Sequence, residues 1–521
     1  MLSHIRHFFR LFAIARTLAH YNAMFPLEAI APSPLLHRTL KVLTLLSRRP
    51  GDPDKTPGQR LAQALQSLGP SFIKLGQILA TRPDIIGDDI AHDLTSLQDR
   101  LPAFSGEQAR EIVEKELEAP LEELFSDFSP DAIAAASIAQ VHKASTLDGM
   151  EVAVKILRPN IEEAFSKDLA TFRWVADRIE RHLPGMRRLR PRDVVEAFAD
   201  MVRQEMNLMN EAAAASELAE NTADDPHFRV PDIVWNRTST RVLTTEWING
   251  IPVNDREALV AAGHNMEALG TGVVGNFLKH VMRDGFFHAD MHQGNLFVDE
   301  DSNIVVVDFG IMGRLDKRSR RYLAEILRGF HTGNYRRIAE IHFEAGYVPR
   351  TKSIGEFAQA LRAIGEPVAG QPLQEISFGR LLAQLFAVTE TFEMQTQPHL
   401  LLLQKTMMMV EGLSVQLHPD INMFEVSPPI IEDWMEANMG PSALIREGIE
   451  SAITLARYLP LIAEEAEAQA KSITREGIRI HPDSRDALEP GRNNWQRWQT
   501  IFLGTIAVLW AVTLYLYVTG N

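Results

Sequence analysis

Residues 288–298 read HADMHQGNLFV and residues 305–310 read VVVDFG, and this region constrains the fold more strongly than any other part of the chain. Asn295 follows Asp290 by five residues, and Asp308 follows Asn295 by thirteen. The flanking apolar residues predict short strands on either side of a turn. Magnesium prefers hard oxygen ligands, and phosphoryl transfer needs metal together with a carboxylate that orients the acceptor. The spacing therefore predicts a phosphate-handling site with Asn295 and Asp308 as metal ligands and Asp290 as a catalytic residue.

A lysine upstream of this region fits the same chemistry. Residues 152–155 read VAVK, which places Lys155 at the end of a short apolar strand, where kinases hold the α- and β-phosphates. Such a lysine needs a carboxylate partner in the helical region that follows, here from Ile161 to about Glu220. Glu205 and Glu211 are the candidates, and we favour Glu211. The predicted catalytic residues are therefore Asp290, Lys155 and Glu211.

The segment before Lys155 should cover the nucleotide phosphates, but it contains no glycine. Glycine lets backbone N–H groups approach phosphates closely, and alanine in its place predicts a stiffer loop and a changed nucleotide pose. The residues predicted to bind nucleotide here are Ile133, Ala134, Ala135, Ala136, Ser137, Ile138, Ala139, Gln140 and Val141.

Composition excludes several other classes of function. The chain has 521 residues and a net charge of −15, which argues against nucleic acid as a partner, because binding to a phosphate backbone needs clustered Lys and Arg. It has no cysteine, so disulfides, thiolate catalysis and cysteine–zinc sites are excluded.

The order of periodic segments predicts an α+β chain. One helical face runs from Leu61 to Leu79. Antiparallel strands are expected from Ile133 to Val154 with a hairpin turn at Asp148-Gly149, and a second strand pair at Ile233–Trp235 and Thr240–Trp247. We divide the chain into a helical N-terminal extension (1–125), a sheet-containing lobe (126–255), a helical lobe (256–475), a linker (476–498) and a transmembrane helix (499–518).

The C-terminal segment predicts a membrane anchor. Ile501 to Val518 carries no charge over 18 residues, close to the length that spans a bilayer, and aromatic residues lie at both ends. Arg492 and Arg497 on the domain side keep the large domain in the cytoplasm by the positive-inside rule. The first 21 residues predict a basic helix that either lies on the membrane or packs on the domain.

Taken together, these motifs resemble the UbiB family of atypical kinases, which is linked to ubiquinone biosynthesis. The motifs that carry the resemblance are AAASIAQVH at 134–142, KLGQ at 74–77, HADMHQGNLFVD at 288–299 and VVVDFGIMGRL at 305–315. The resemblance implies an atypical protein-kinase-like two-lobe fold that uses ATP or ADP with Mg²⁺. It also implies a setting at the inner (cytoplasmic) membrane, with the lipid bilayer, quinone-type lipid precursors and other ubiquinone biosynthesis proteins as partners. Nucleic acid is not among these partners, and the resemblance leaves open whether the chain forms a homodimer.

The resemblance also assigns roles to single residues. Lys74 and Gln77 would fold over the nucleotide site and suppress phosphorylation of a separate protein, with Glu205 as a regulatory residue beside them. Glu246 and Trp247 look like the hinge that receives adenine. The family often has a second carboxylate two residues after the first, whereas this chain has Asn207, which argues against metal binding or restraint of Lys74 by this pair.

Three functions follow as alternatives. The first is a membrane-anchored ATPase or atypical kinase that couples ATP hydrolysis to the handling of lipid precursors or biosynthetic proteins. The second is a small-molecule phosphotransferase, since the catalytic motif also resembles aminoglycoside-type kinases. The third is a pseudokinase scaffold gated by nucleotide.

Overall fold

The computed structural model describes residues 2–23, 55–80, 86–94, 97, 101–182, 191–369, 388, 391–394, 397–441, 443, 445, 449 and 453. The contacts between Cα atoms divide the chain into two units, Met1–Met435 and Glu436–Asn521. All the strands and the residues of the candidate site belong to the first unit.

Four helices form the described part of the N-terminal extension: α1 (Leu2–His20), α2 (Pro57–Leu68), α3 (Pro70–Ala80) and α4 (Asp88–Leu94). Ile14 and Leu18 of α1 are buried against Leu65 and Phe72, whereas Phe9 and Phe12 are 66% and 47% exposed. Thus one side of α1 packs on the domain, and another side presents aromatic residues to the surroundings.

The predicted single helical stretch from Leu61 to Leu79 is wrong, because two helices occupy this segment. Gly69 adopts a φ of 105°, a conformation that favours glycine, and the next helix begins at Pro70. This break gives α3, which carries KLGQ, a direction of its own.

Two further helices, α5 (Gly106–Leu117) and α6 (Leu121–Leu124), lead into a five-stranded sheet. Its strands are β1 (Phe125–Phe128), β2 (Ala134–Ala135), β3 (Ala139–Thr146), β4 (Glu151–Leu157) and β6 (Val242–Glu246). They lie in the order β1-β3-β4-β6, with β2 paired to β3, and every pairing is antiparallel. The predicted strands between Ile133 and Val154 are confirmed, including the turn at Gly149, where φ is 89°.

The second predicted strand pair is only half present. Thr240–Trp247 contains β6, but Ile233 makes a single bridge to Thr245, and Trp235–Arg237 forms a 3₁₀ turn. The turn competes with a strand because the hydroxyl of Thr238 accepts a bond from the Thr244 amide at 3.2 Å.

Helices α7 (Ile161–His182), α8 (Pro191–Glu205) and α9 (Leu208–Asn221) lie between β4 and β6 in the chain. The Asn207 side chain caps α9 by accepting a hydrogen bond from the Met209 amide at 3.1 Å. Glu205 and Glu211 therefore belong to two different helices and can serve two different lysines.

The second lobe contains small sheets and long helices. The strands β5 (Phe228–Arg229), β10, β9 and β7 (Gly250–Pro252) form one sheet in that order, and β8 pairs with β11. The strands around the catalytic motif are β8 (Phe286–His288), β9 (Leu296–Asp299), β10 (Ile304–Val306) and β11 (Met312–Arg314). The predicted short strands on either side of the motif's turn are thus confirmed.

The described helices of this lobe are α10 (Arg256–Ala261), α11 (Met266–Lys279), α12 (Lys317–His331), α13 (Tyr335–Glu344), α14 (Ile354–Ala369), α15 (Pro398–Leu417) and α16 (Met423–Met439). A π-helical turn, His280–Asp284, joins α11 to β8. Within the described part of the chain, no helix combines the length and the hydropathy needed to cross a bilayer. The predicted linker (476–498) and transmembrane helix (499–518) lie outside the described residues.

Candidate functional site

His288 ties the two halves of the catalytic motif together. Its Nε2 lies 2.9 Å from the carbonyl oxygen of Asp308, and its Nδ1 accepts a hydrogen bond from the Asp290 amide at 3.3 Å. Burial lowers the pKa of His288, so the ring is neutral, with Nε2 as the donor and Nδ1 as the acceptor. One buried side chain thus fixes the backbone of Asp290, a predicted catalytic residue, and of Asp308, a predicted metal ligand.

Asp290 lies in a turn held by its neighbours. The Asn295 side-chain amide donates to the Asp290 carbonyl at 3.1 Å, which leaves the Asn295 oxygen as a possible ligand. The Gly294 amide donates to Nδ1 of His292, so Nε2 of that ring carries the hydrogen and lies 3.9 Å from the Asp290 carboxylate. The carboxylate itself is about one quarter exposed, with a side-chain exposure of 26%, and is open to an acceptor molecule.

Lys155 joins both lobes. Its ammonium donates to the two oxygens of Glu211 at 2.7 and 3.0 Å and to Asp308 at 3.0 Å. The favoured pairing of Lys155 with Glu211 is therefore present. Asp308 adopts a φ of 65°, a region that few residues other than glycine occupy, so the backbone is strained where its carboxylate meets Lys155.

Glu211 and Asp308 both bind the Lys155 ammonium, but their pKa values shift in opposite directions. The Lys155 charge holds the pKa of Asp308 well below its usual range. Burial and the negative charge of Asp308 raise the pKa of Glu211 to about 7, although Lys155 opposes this. Burial disfavours the charged form of Lys155, but Asp308 and Glu211 outweigh it and raise the pKa of Lys155. Lys155 is thus charged, and Asp308 is ionised.

This arrangement predicts a pH dependence of stability. Because the pKa of Glu211 is raised in the folded state, its contribution to stability is fully present below about 4.5 and is lost as pH rises through about 7. Glu211→Gln should therefore flatten the fall in the free energy of unfolding between these pH values. Denaturant titrations at several pH values would test this, with Glu217→Gln as the control, since Glu217 lies on the same helix and pairs with Arg314. Equal slopes in wild type and Glu211→Gln would contradict the assignment.

The donor set fits magnesium that is shared with a nucleotide. Asp308 and Asn295 supply a carboxylate and an amide oxygen, and the Val307 amide donates to the Asn295 carbonyl at 2.9 Å, which keeps the two segments adjacent. The described residues contain no group of three or more His, Asp or Glu side chains that could hold a metal alone. Magnesium commonly takes one or two protein carboxylates and completes its octahedron with phosphates and water. Two protein oxygens suit that mode of binding.

The alanine-rich loop is a tight turn. The Ala136 amide donates to the Ala139 carbonyl at 2.8 Å, and the Arg158 guanidinium donates to the Ala136 carbonyl at 3.0 and 2.8 Å and to Pro102 at 2.9 Å. Val141 lies directly opposite Lys155 in the β3–β4 ladder and therefore shares its face of the sheet. The loop is thus fixed by an arginine as well as by its alanines.

One predicted nucleotide-binding side chain lies elsewhere. Gln140 is buried on the face opposite Lys155, where it pairs with the backbone of Phe104 at 2.9 and 3.3 Å and lies 2.7 Å from His142. Only its backbone can contribute to the loop. Ser137 is also buried, and its hydroxyl has no hydrogen-bond partner among the described residues.

Ala136→Gly should loosen this turn. Added backbone freedom at one residue is worth roughly 0.4–1 kcal/mol, so the ratio of ATP to ADP affinity should change by about two- to fivefold. Calorimetry with both nucleotides would measure it, with Ala132→Gly just before the loop as the control. An unchanged ratio would show that the alanines do not set the nucleotide pose.

The KLGQ segment pairs with the helix before Glu211. Lys74 Nζ lies 3.0 Å from Glu205, both side chains are largely buried, and the charge of Lys74 also lowers the pKa of Asp308. Gln77 is half-buried further along α3. An alanine side chain at Gly76 would overlap Leu65 and Leu97, which explains the glycine. Asn207 does not prevent the restraint of Lys74, because Glu205 pairs with Lys74 directly.

Two groups of the predicted adenine hinge, Glu246 and Trp247, make contacts within the protein. The Trp247 amide donates to the Glu151 carbonyl at 3.0 Å, so that amide serves the sheet rather than a ligand. The Glu246 side chain pairs with Arg229 at 2.5 Å. The Trp247 amide and the Glu246 side chain are therefore already paired within the fold.

Sequence reasoning missed two contacts from α15. Lys405 lies 3.5 Å from Asp290, and the buried Thr406 hydroxyl lies 3.0 Å from the Ala289 carbonyl. Residues 400–409, LLLLQKTMMM, carry no recognisable motif. Met407 is buried, whereas Met408 is 46% exposed.

Comparison with known proteins finds relatives over most of this chain. The ABC1 atypical kinase-like domain matches residues 96–342, and the UbiB helical domain matches residues 361–422. A probable protein kinase UbiB of Marinobacter nauticus is 42% identical over 472 residues, covering 89% of this chain and 86% of the relative. Another, from Aeromonas salmonicida, is 42% identical over 417 residues, covering 79% and 76%. The solved complex of Rv3197 with erythromycin from Mycobacterium tuberculosis is 26% identical, with a TM-score of 0.51, over 71% of this chain and 95% of that one.

Proposed function

The chain belongs to the UbiB family of atypical kinases, and from this we propose that it is a membrane-bound ATPase whose turnover supports ubiquinone biosynthesis. The observation that carries the proposal is the Lys155 ammonium, which is bound by Glu211 and Asp308 at 2.7 and 3.0 Å. In protein kinases the corresponding lysine pairs with a helix glutamate, and the aspartate of the DFG motif holds magnesium.

Each residue has a task in this proposal. Magnesium, held by Asp308 and Asn295, would supply neutralisation of the phosphate charge. Lys155 binds the phosphates next to the leaving group and is kept in place by Glu211. Asp290 orients the attacking water and takes its proton, while the bond from the terminal phosphorus to the bridging oxygen breaks. His288 holds the backbone of Asp290 and Asp308 in register throughout.

Hydrolysis is favoured over transfer to a separate protein. The Lys74–Glu205 pair anchors α3 close enough for the Lys74 charge to lower the pKa of Asp308, so α3 occupies the neighbourhood that a protein substrate would need. Water needs far less room than a polypeptide. We propose that ATP hydrolysis is coupled to the handling of lipid precursors. The uncharged segment 501–518 and the exposed Phe9 and Phe12 both favour a location at the bilayer, where such precursors lie.

Phosphate release from ATP by the purified full-length chain tests this function. It should be measured with Mg²⁺, with and without vesicles of phosphatidylethanolamine and phosphatidylglycerol, beside Asp290→Asn. Turnover that rises with vesicles and vanishes in the variant is expected. Nucleotide binding without turnover would overturn the ATPase proposal in favour of a scaffold, and a phosphorylated small molecule would replace it with a phosphotransferase.

Removal of residues 499–521 should release the chain from membranes. The segment carries 18 uncharged residues, whereas the described side chains of α1 contribute the exposed Phe9 and Phe12. Membrane flotation of the truncated chain would measure this, and the truncated chain with Phe9→Ser and Phe12→Ser would reveal any share of α1. Full retention of both variants on membranes would contradict this location of the anchor.

A further inference from the structure

Helix α15 reaches the catalytic turn from outside the kinase-like domain. The ABC1 match ends at residue 342, and Lys405 and Thr406 lie within the UbiB helical match. These two consecutive residues contact two consecutive residues of the turn, since Thr406 lies 3.0 Å from the Ala289 carbonyl and Lys405 lies 3.5 Å from the Asp290 carboxylate. The kinase-like domain alone therefore does not account for everything that touches Asp290.

The position of Lys405 is fixed by its helix. Leu403, Met407 and Val410 are buried, and Thr406 is fully buried, so α15 cannot slide without breaking a packed interface. The Thr406 hydroxyl also lies 2.8 Å from the Leu402 carbonyl, which locks its rotamer towards the catalytic turn. The α15 backbone at Lys405 is thus held in place by the packing of its neighbours and by the Thr406 hydroxyl.

The contact between Lys405 and Asp290 is not a stabilising ion pair. The separation is 3.5 Å, and the side chains are 43% and 26% exposed. Partly exposed pairs of this kind contribute little to stability. Both side chains remain partly exposed at this separation, so a third group can bind next to the ammonium and the carboxylate.

Lys405 and Lys155 occupy different parts of the site. Lys155, which is assigned to the inner phosphates, is bound by Glu211 and by Asp308, the assigned metal ligand. Lys405 contacts Asp290, the group assigned to the attacking water. Nε2 of His292 lies at a longer distance from Asp290, 3.9 Å. An anion that bridges the two regions is the terminal phosphate of a nucleoside triphosphate.

We propose that Lys405 is a catalytic residue, which the helical domain supplies to bind the terminal phosphate on the side of the attacking water. This inference rests on the proposed function. In the step, the bond from the water oxygen to the terminal phosphorus forms, the bond to the bridging oxygen breaks, and the water's proton passes to Asp290. Lys405 keeps its proton and neutralises a non-bridging oxygen of the phosphoryl group, while Thr406 positions the turn.

Nucleotide binding and turnover in Lys405→Ala test the proposal together. The affinity for ATP should fall at least about tenfold while the affinity for ADP stays unchanged, because ADP lacks the phosphate that Lys405 contacts. Phosphate release should fall by roughly 10²–10³-fold, which is typical of losing one electrostatic stabiliser of the transition state. Lys405→Arg should recover part of both. Lys352→Ala removes an equal charge that pairs with Glu393 and should change neither.

The outcomes separate this inference from the proposed function. If ATP and ADP affinities change together or not at all, Lys405 does not contact the terminal phosphate, and the inference fails whatever the turnover. If the wild-type chain shows no turnover, the ATPase proposal fails, but the ratio of ATP to ADP affinity still decides the role of Lys405. Thr406→Val should lower kcat and leave the KM for ATP unchanged, with Thr406→Ser restoring kcat. If Thr406→Val changes folding stability but not kcat, Thr406 serves only in packing.

Discussion

Asp308→Asn should lower phosphate release from ATP by roughly 10²–10³-fold, the loss typical of removing one electrostatic stabiliser of a transition state. The variant keeps the shape of the side chain but loses the charge that is assigned to the metal. Lys155 keeps its partner Glu211, at 2.7 Å, so the fold around the lysine should survive. Turnover at saturating ATP and magnesium measures the effect, and circular dichroism confirms folding.

Asp301→Asn is the matched control for this variant. Asp301 is exposed in the turn between β9 and β10, only seven residues before Asp308, and its amide donates to Asp299. Its turnover should equal that of the wild type. Turnover in Asp308→Asn within a factor of about two of the control would mean that this carboxylate does not serve the reaction.

Lys155→Met should lower the free energy of unfolding by about 3 kcal/mol, because it leaves the buried Glu211 without its cation. The Glu211 side chain is only 8% exposed, so it cannot recover the lost interaction from water. Lys155 opposes the raised pKa of Glu211, so its loss raises that pKa further, and protonation of Glu211 limits the cost as pH falls. The destabilisation should therefore be larger at pH 8 than at pH 6, and denaturant titrations at both values would show it.

A double variant provides the control for the second prediction. Lys155→Met with Glu211→Leu replaces the ion pair by apolar groups, and such replacements of buried pairs are often neutral or stabilising. Most of the lost stability should return, although turnover should not. If the single and double variants are equally unstable, the loss comes from packing at residue 155 and not from an unpaired carboxylate.

The sequence was sufficient to predict those parts of the site that depend on local spacing. The catalytic turn is encoded within 21 residues, from His288 to Asp308, so its strands and polar groups were predictable together. Lys155 followed from its position at the end of an apolar strand. Glu211 was predictable only as one of two candidates. The choice between them depends on the break between α8 and α9, where the Asn207 side chain caps the new helix.

Other features depend on contacts between distant segments. Lys405 and Thr406 reach residues more than a hundred positions away, and nothing in LLLLQKTMMM distinguishes them from an ordinary apolar helix. Arg158 follows β4 as any polar residue would, yet it fixes the alanine-rich loop. The use of the Trp247 amide within the sheet depends on the register of β4 and β6, which periodicity does not reveal.

Calorimetric titration of the wild-type chain with ATP, in magnesium and then in excess chelator, tests the assignment of the phosphate site most directly. Asp308 and Asn295 offer only two protein oxygens, so metal and nucleotide should bind as one unit. Affinity should fall by at least about tenfold when magnesium is removed, and in Asp308→Asn it should no longer depend on magnesium. Equal affinity of the wild-type chain with and without magnesium would contradict a metal-assisted nucleotide site formed by these residues.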